Sequence, residues 1–285
     1  MSTGSGGVVA ESRVAVVTGA ASGIGYALAE RLSAEKMRVV MADVEEPALS
    51  KAAAALEGHG GEVVAVVTDV SKPGDVERLR DEAVGRFGAV HLLCNNAAVG
   101  GPHDSLWEIS LGDWEWVVGV NLWGVVHGIR AFLPVLLEQE AAHVVNTSSI
   151  FGVFAGALGP YGISKHAVTA LSETLYFQLQ EIGAPVGVSV LCPGAVRTSF
   201  GDSDRNRPAD LAPRSRLSSE RAATAKEQFD RLAANGRDPA EVAALVVDGI
   251  RHGRFYILTS SNRDDAVRRR GGEIVSGGPP TTPFP

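Results

Sequence analysis

The side chains with the clearest chemical potential lie in the stretch NTSSIFGVFAGALGPYGISKHAV, residues 146–168. Tyr161 and Lys165 stand four positions apart, so on a helix they project from one face. A phenol has a pKa of about 10 and is a poor base at neutral pH, but a nearby ammonium favours the phenolate and lowers that pKa. The pair is a candidate proton-transfer device, and the alternative is an ordinary surface pair on a helix.

A glycine-rich turn, TGAASGIG, directly follows the β-branched run at 13–18. Gly19 permits a sharp turn, while Gly23 and Gly25 let backbone approach a pyrophosphate and let the next helix pack close to the sheet. The helix N-terminus supplies free N–H groups and partial positive charge. The pattern favours dinucleotide binding over a mere tight turn. The residues expected to contact the cofactor here are Gly19, Ser22, Gly23, Ile24 and Gly25.

Polar residues end the following strands. Asp43 ends the second strand, where a carboxylate accepts hydrogen bonds from an adenosine ribose and repels a 2′-phosphate. Ser22 stands where a basic residue would favour NADP, so NAD is preferred. Asp69, followed by Val70, ends the third strand and could hold the adenine amino group. Asn96 ends the fourth strand and could satisfy backbone groups beside the cofactor. The alternatives are a solvated loop acid for Asp43, a helix cap for Asp69 and a turn asparagine for Asn96.

The elements that position these residues alternate along the chain. Continuously apolar strands between amphipathic helices predict a single-domain α/β fold, a doubly wound, Rossmann-like parallel sheet with helices on both faces. Ligands of such sheets bind at the carboxyl ends of the strands. The predicted strands are 13–18, 38–43, 62–70, 90–97, 143–149, 186–193 and 254–259. The predicted helices are 26–35, 47–58, 73–88, 111–137, 160–182 and 239–250.

Composition narrows the class of protein. In 285 residues, 45% are hydrophobic, which is enough for a large core, and the formal net charge of −7 argues against a nucleic-acid partner. Cys94 and Cys192 lie in apolar runs and are expected to be buried thiols of a reducing compartment. The seven histidines show no metal-ligand spacing, so no metal is expected. No apolar run is judged long enough to span a bilayer, and no signal pattern is found, so a cytoplasmic protein without a membrane partner is expected.

These features, in this order, resemble the short-chain dehydrogenases/reductases over roughly residues 13–198 and, more weakly, over 239–259. The resemblance rests on TGAASGIG, DV at 69–70, NNAA at 95–98, Asn121 in VGVNLWG, SS followed by YGISK, and CPGAVRT at 192–198. The family usually reads N-N-A-G where this chain has Ala98, and the added methyl could crowd the nicotinamide ribose. The catalytic serine is Ser148 by its distance from Tyr161 and Ser149 by its S-x-x-G context, and Ser149 is preferred.

The resemblance implies an oxidoreductase that interconverts a secondary alcohol and a ketone. Tyr161 would act as general acid/base, Lys165 would lower its pKa together with the positive nicotinamide ring, and Ser149 would hydrogen-bond the substrate oxygen. Asn121 would hold a water that links Lys165 to solvent. The resemblance also implies cofactor contacts from Tyr161, Lys165, Pro193, Gly194, Val196 and Thr198.

The choice of cofactor and the oligomeric state are further predictions. The first reading is an NAD-dependent dehydrogenase. The alternatives are an NADPH-dependent carbonyl reductase and a non-catalytic dinucleotide sensor. A homo-oligomer, dimer or tetramer, is expected, with the apolar helix at 111–137 and the helix at 160–182 at subunit contacts.

Residues 199–235 break the regular pattern and are predicted to be a substrate lid. The lid and the loop before Tyr161 are rich in apolar side chains, which suggests a hydrophobic substrate, terpenoid- or steroid-like. Residues 1–12 and 261–285 are predicted to be a flexible N-terminus and a flexible tail around a domain at 13–260. The apolar side chains expected at the substrate are Phe151, Val153, Phe154, Leu158, Phe200, Leu211, Leu217 and Phe229.

Overall fold

Seven parallel strands form one sheet in the part of the chain that the structure describes. The computed structural model describes residues 7–102, 104–154, 156, 159–211, 227, 231–260 and 264–281. The strands are β1 Val14–Thr18, β2 Arg38–Asp43, β3 Val63–Val67, β4 Leu92–Asn95, β5 Ala142–Thr147, β6 Val186–Cys192 and β7 Tyr256–Leu258. They pair in the order β3-β2-β1-β4-β5-β6-β7. The predicted doubly wound parallel sheet is confirmed.

Helices cover both faces of this sheet. Within β1, Ala15 and Val17 pack against the helices at 23–34, 46–58 and 239–251, whereas Val14 and Val16 belong to the core on the side of the helices at 73–87, 124–137 and 159–181. Successive side chains of a strand point to opposite faces, so a strand that is covered twice is apolar throughout. The helices are α1 Gly23–Ala34, α2 Glu46–Gly58, α3 Pro73–Phe87, α4 Leu111–Val118, α5 Gly124–Leu137, α6 Gly159–Glu181, α7 Pro239–Arg251 and α8 Asp264–Ser276.

The carboxyl ends of β1 and β4 meet at the centre of the sheet. From β1 the chain continues outward to β2, and from β4 it continues to β5 on the other side, so the connections diverge at this point. A crevice opens outside the strand ends where connections diverge in this way. Thr18 at the end of β1 holds the edge together, because its Oγ1 accepts hydrogen bonds from the backbone N–H groups of Asn96 and Ala97 at 2.9 and 3.0 Å.

The predicted helix at 111–137 is interrupted by a π-helical segment, Gly119–Trp123. The backbone N–H of Gly124 bonds the carbonyl of Gly119, five residues earlier, instead of four. Such π-bulges insert one residue and change the direction of the side chains around them. Asn121 lies in this segment and is fully buried. The spacing of apolar residues alone could not predict the bulge.

The whole segment Leu111–Leu137 has the length and composition of a membrane-spanning helix, with a mean hydropathy of 1.5. The prediction that no apolar run has this length is therefore wrong. Length and apolarity are weak evidence, however, because a core helix passes the same test. Phe132 and Leu136 are completely buried in the core on the α3 and α6 side of the sheet, whereas Leu111 and Trp123 are exposed. One face of the segment thus belongs to the interior of this domain.

Both ends of the chain contain order that composition did not indicate. Ser12 donates its backbone N–H to the carbonyl of Lys36 at 2.9 Å, and Val9 is buried in the core. In the predicted flexible tail, residues 264–276 form helix α8, and Arg270 donates to the carbonyl of Val153 at 3.2 Å. The polar and glycine-rich composition of both segments favoured disorder, but contacts with the body of the domain hold residues 9–12 and helix α8.

Candidate active site

A cleft of about 1280 Å³ opens at the carboxyl ends of the strands. Its floor contains the ends of β1 to β6, and its roof contains most of residues 199–208, which belong to the segment 199–211 that we call the strap. The volume exceeds the several hundred Å³ of a typical drug-sized site, and it suits a large ligand together with a second molecule. All the predicted cofactor-contacting residues line this cleft: Gly19, Ser22, Gly23, Ile24, Gly25, Asp43, Asp69, Val70, Asn96, Tyr161, Lys165, Pro193, Gly194, Val196 and Thr198.

The glycine turn brings the N-terminus of α1 to the cleft. Gly19 and Gly23 have φ values of +67° and +55°, which glycine tolerates best. A Cβ on Gly25 would lie 2.0 Å from the carbonyl oxygen of Gly19, so this position admits only glycine in the observed backbone. Ser22 is the extended N-cap of α1 and makes no side-chain cap. The first-turn N–H groups of α1 without a side-chain cap fit the pyrophosphate of a dinucleotide.

Two carboxylates shape the far end of the cleft. Asp43 accepts the backbone N–H of Ala21 at 3.0 Å through Oδ2 and that of Glu45 at 3.1 Å through Oδ1. It therefore ties the glycine turn to the end of β2. Asp69 accepts the backbone N–H and the hydroxyl of Ser71 at 2.9 and 2.6 Å. This turn ends β3 at Val67, earlier than predicted.

Asn96 joins the ends of three strands. Its Nδ2 donates to the carbonyl of Thr18 at 3.0 Å, and its Oδ1 accepts from Thr147 Oγ1 at 3.3 Å. Ala98, where the family usually has glycine, lies half-buried on the cleft wall. Its backbone has no positive φ, because Ser12 and Lys36 are the non-glycine residues of the described chain that do. The alanine therefore fits without backbone strain.

Tyr161 and Lys165 lie side by side in the first turns of α6. Lys165 is 1% exposed, its Nζ donates to the carbonyl of Thr147 at 2.8 Å, and it lies 5.8 Å from the centroid of the Tyr161 ring. Burial lowers the pKa of Lys165 to about 7. Burial also raises the pKa of Tyr161, and a hydrogen bond with Ser149 only partly opposes this. In the protein alone, desolvation therefore raises the pKa of the Tyr161 phenol, and the lowering expected from the Lys165 ammonium together with the positive nicotinamide ring stays a prediction.

The two serines after β5 point in different directions. Ser149 hydrogen-bonds Tyr161 and accepts the backbone N–H of Phe151 at 3.2 Å, so its hydroxyl is at the cleft. Ser148 donates to the carbonyl of Lys165 at 2.8 Å and lies 2.8 Å from Thr169 Oγ1, inside the domain. The geometry brings Ser149, and not Ser148, to the phenol.

Asn121 is occupied by protein groups. Its Oδ1 accepts the backbone N–H of Val99 at 2.8 Å, and its Nδ2 donates to the carbonyl of Val99 at 3.0 Å and to Ser164 Oγ at 3.3 Å. The side chain thus connects the loop after β4 to α6, the helix that carries Tyr161 and Lys165. A water-holding role for Asn121 stays a prediction.

The segment after β6 closes the cleft beside Tyr161. Pro193 accepts the backbone N–H of Ile150 at 2.9 Å, and Gly194 donates to Thr259 Oγ1 at 3.1 Å. Val196 forms a β-bridge with Arg237. Thr198 packs so closely on the glycine turn that a Cβ on Gly23 would lie 3.0 Å from its methyl group.

The strap is attached by polar contacts that the sequence did not reveal. Arg205 forms an ion pair with Glu45 at 2.5 Å, and Ser203 Oγ accepts the backbone N–H of Gly100 at 2.8 Å. Arg207 pairs with Asp113 at 2.8 Å, with both side chains buried. Its guanidinium also stacks 4.2 Å from the centroid of the Trp116 ring. Glu45, an acid two positions after Asp43, is a weak sequence signal for the ion pair with Arg205. The contacts of Ser203 and Arg207 have no signal in the local sequence.

The expected apolar wall is present in part. Phe200 lies 5.5 Å from the Tyr161 ring, and Phe151 lines the cleft. Phe154 is buried behind Phe151, and Val153 and Leu211 are not among the lining residues. Leu158, Leu217 and Phe229 lie outside the described residues.

Known proteins are similar to this chain in sequence. A family model described as short chain dehydrogenase matches residues 13–209. A 1-deoxy-11-beta-hydroxypentalenate dehydrogenase from Streptomyces exfoliatus is 39% identical over 263 residues, which cover 91% of this chain and 86% of the relative. A CLA biosynthesis dehydrogenase/reductase from Lactiplantibacillus plantarum is 31% identical over 274 residues, which cover 95% of this chain and 96% of the relative.

A solved structure is similar over almost the whole chain. The short chain dehydrogenase/reductase from Burkholderia phymatum, crystallised in complex with NAD, has a TM-score of 0.93 and 43% identity, and the match covers 96% of this chain and 98% of that one. The chain belongs to the short-chain dehydrogenase/reductase family. It is an oxidoreductase for alcohol or ketone substrates, and its family binds NAD or NADP. The predictions of family and enzyme class are confirmed.

Proposed function

We propose that this protein is an NAD-dependent dehydrogenase that interconverts a secondary alcohol and a ketone on a hydrophobic small molecule. The observation that carries the proposal is the meeting of Ser149, Tyr161 and Lys165 at the floor of a cleft whose other end is the N-terminus of α1. Proton-transferring groups and a dinucleotide cradle are thereby combined in one cavity. A non-catalytic sensor would not need the phenol and the amine together.

Each side chain has a distinct task in this proposal. Ser149 donates a hydrogen bond to the substrate oxygen and orients the reacting carbon. Tyr161 takes the hydroxyl proton in oxidation and returns it to the carbonyl oxygen in reduction. A bound oxidised nicotinamide would supply the hydride acceptor and a positive charge beside the phenol. Since burial raises the pKa of Tyr161, the phenolate depends on that charge in addition to the Lys165 ammonium.

The preference for NAD is supported by the acidic end of the cleft. Asp43 and Glu45 both line it, and a 2′-phosphate there would meet two carboxylates. Arg205 is also at this end, but Glu45 holds its guanidinium by two hydrogen bonds. This arginine is the observation that favours the runner-up, an NADPH-dependent carbonyl reductase. Binding titrations with NADH and NADPH decide between the two, and tighter binding of NADPH would contradict the proposal.

The proposed substrate is a hydrophobic, polycyclic alcohol or ketone of terpenoid type. Val99, Trp116, Phe151 and Phe200 give the substrate half of the cleft an apolar lining. The relative from Streptomyces exfoliatus is named for the oxidation of a hydroxypentalenate, which agrees with that lining. An apolar site distinguishes such substrates by size and shape, with few polar contacts.

A panel of hydrophobic secondary alcohols with NAD, followed by NADH absorbance, tests the proposal. Tyr161→Phe is expected to reduce kcat by about 10³-fold while NADH binding stays unchanged, because only the transferable proton is lost. Tyr176→Phe is the matched control, since Tyr176 lies on the same helix and packs on Phe255, outside the cleft. Wild-type turnover in Tyr161→Phe would refute the mechanism.

A further inference from the structure

We infer that Glu45 is a second determinant of cofactor preference, which acts by neutralising Arg205 of the strap. The inference rests on the proposed preference for NAD and extends it to a pair of residues 160 positions apart. Asp43 alone would then give an incomplete account of how the chain discriminates against a 2′-phosphate.

Glu45 accepts hydrogen bonds from two of the three guanidinium nitrogens of Arg205. Arg205 Nε donates to Glu45 Oε2 at 3.1 Å and Nη2 donates to Oε1 at 2.5 Å, which is a bidentate pair. Asn206 Nδ2 adds a third bond to Glu45 at 2.7 Å. The remaining nitrogen of Arg205, Nη1, donates to the carbonyl of Asp202 at 2.9 Å. Because its donors are engaged in this way, Arg205 offers little to a further anion.

The pair stands next to the predicted ribose contact. Glu45 follows Asp43 by two residues and donates its backbone N–H to the Asp43 carboxylate at 3.1 Å. Asp43, Glu45 and Arg205 all line the same end of the cleft. The hydrogen bond from Arg205 lowers the pKa of Glu45, so its carboxylate is ionised at neutral pH. Two acids against one base give this end of the cleft a net negative charge.

Removal of the charge of Glu45 cancels this net negative charge, because one acid and one base then remain. In Glu45→Gln, Asp43 and an incompletely neutralised guanidinium remain, and guanidinium groups recognise phosphate well. A 2′-phosphate carries about two negative charges, so its binding responds more strongly than that of a ribose hydroxyl. The contact between Glu45 and Arg205 also attaches the strap to the body of the domain. A loosened strap would weaken the binding of NADH and of NADPH by the same factor. The ratio of the two affinities therefore separates electrostatic discrimination from attachment of the strap.

The experiment is a titration of the full chain with NADH and with NADPH at low ionic strength, for wild type, Glu45→Gln, Arg205→Gln and the double variant. We expect the NADPH/NADH affinity ratio to rise on the order of tenfold in Glu45→Gln, to fall in Arg205→Gln and to return toward wild type in the double variant. Glu46→Gln is the matched control, because Glu46 is the exposed neighbour and does not line the cleft.

An unchanged ratio in Glu45→Gln, or equal loss of both affinities, would overturn the inference and leave Glu45 as an attachment of the strap only. A wild type that prefers NADPH would instead overturn the proposed function, whatever the variants do. The same titrations therefore distinguish a failure of the inference about Glu45 from a failure of the proposed preference for NAD.

Discussion

The floor and the strap of the cleft are built in different ways. The floor consists of strand ends and the glycine turn, held by hydrogen bonds of 3.0 and 3.3 Å among Thr18, Asn96 and Thr147. The strap is held to the body by ion pairs, Arg205 with Glu45 and Arg207 with Asp113. Backbone and small polar groups thus form a rigid cofactor half, while long charged side chains close the roof. The comparison suggests that the floor provides chemistry common to the family and that the strap provides selectivity.

The largest expected effect tests the rigidity of the floor. Gly25→Ala places a Cβ 2.0 Å from the carbonyl oxygen of Gly19, so the backbone of the turn must move. We expect a loss of about 3 kcal/mol of folding stability together with weaker cofactor binding, since overpacking of a close contact costs up to about that much. Urea unfolding and NADH titration measure it. The control is Gly85→Ala in α3, where a Cβ meets no atom within 4 Å.

A fall in pH distinguishes the sheet from the strap, because we expect it to destabilise the sheet before it breaks the ion pair of Glu45. His143 Nε2 lies 2.8 Å from Ser189 Oγ, whose proton goes to the carbonyl of Arg254, so His143 donates as a neutral ring. Burial lowers the pKa of His143 from 6.5 to about 4. The unfolded chain therefore binds more protons in this range, and stability falls as pH drops from about 6.5 toward 4, by up to about 3 kcal/mol.

The free energy of unfolding at pH 7 and pH 4.5 measures this effect. The ion pair of Glu45 persists through most of this range, because Arg205 lowers the carboxyl pKa. His143→Asn should reduce the dependence of stability on pH, and the exposed His252→Asn should leave it unchanged. An equal dependence in wild type and His143→Asn would contradict the assignment.

Within the floor, the adjacent residues Ser148 and Ser149 are expected to have different roles, one structural and one catalytic. We expect Ser149→Ala to lower kcat by about 100-fold with little loss of stability, because one donor to the reacting oxygen is removed. Ser148→Ala should keep kcat and lose about 1 to 2 kcal/mol of stability, since it breaks buried hydrogen bonds to Lys165 and Thr169. Steady-state kinetics and thermal unfolding of both variants check this, and the reverse pattern would make Ser148 the catalytic serine.

The smallest expected effect tests the strap. Arg207→Lys keeps a positive charge but loses the planar group that stacks on Trp116 and reaches Asp113. We expect KM for the alcohol to rise about tenfold while kcat changes by less than about twofold, because the wall moves and the proton-transfer groups do not. Arg80→Lys on α3, outside the cleft, is the control. A loss of kcat without a change in KM would contradict this role and would indicate that Arg207 acts on the proton-transfer groups of the floor.

The two halves of the cleft also differ in how well they could be predicted. The glycine turn, Asp43, Asn96 and the pair Tyr161 and Lys165 all line the cleft where the strand ends suggested. Their positions follow from local spacing and from the rule that strand ends share one edge of a sheet. Arg207 and Asp113 could not be paired, because nothing in their local sequence indicates which distant residue shares a buried site.

The sequence by itself determined the sheet, the two covering layers of helices and the edge where ligands bind, since apolar periodicity and glycine positions act over a few residues. Only the tertiary structure decided which serine faces Tyr161, where the helix around Asn121 bulges and how the strap is attached. It also decided the direction of the pKa shift of Tyr161, because burial depends on every element around the phenol. Contacts between residues far apart in the chain are set by packing, and packing is a property of the whole fold.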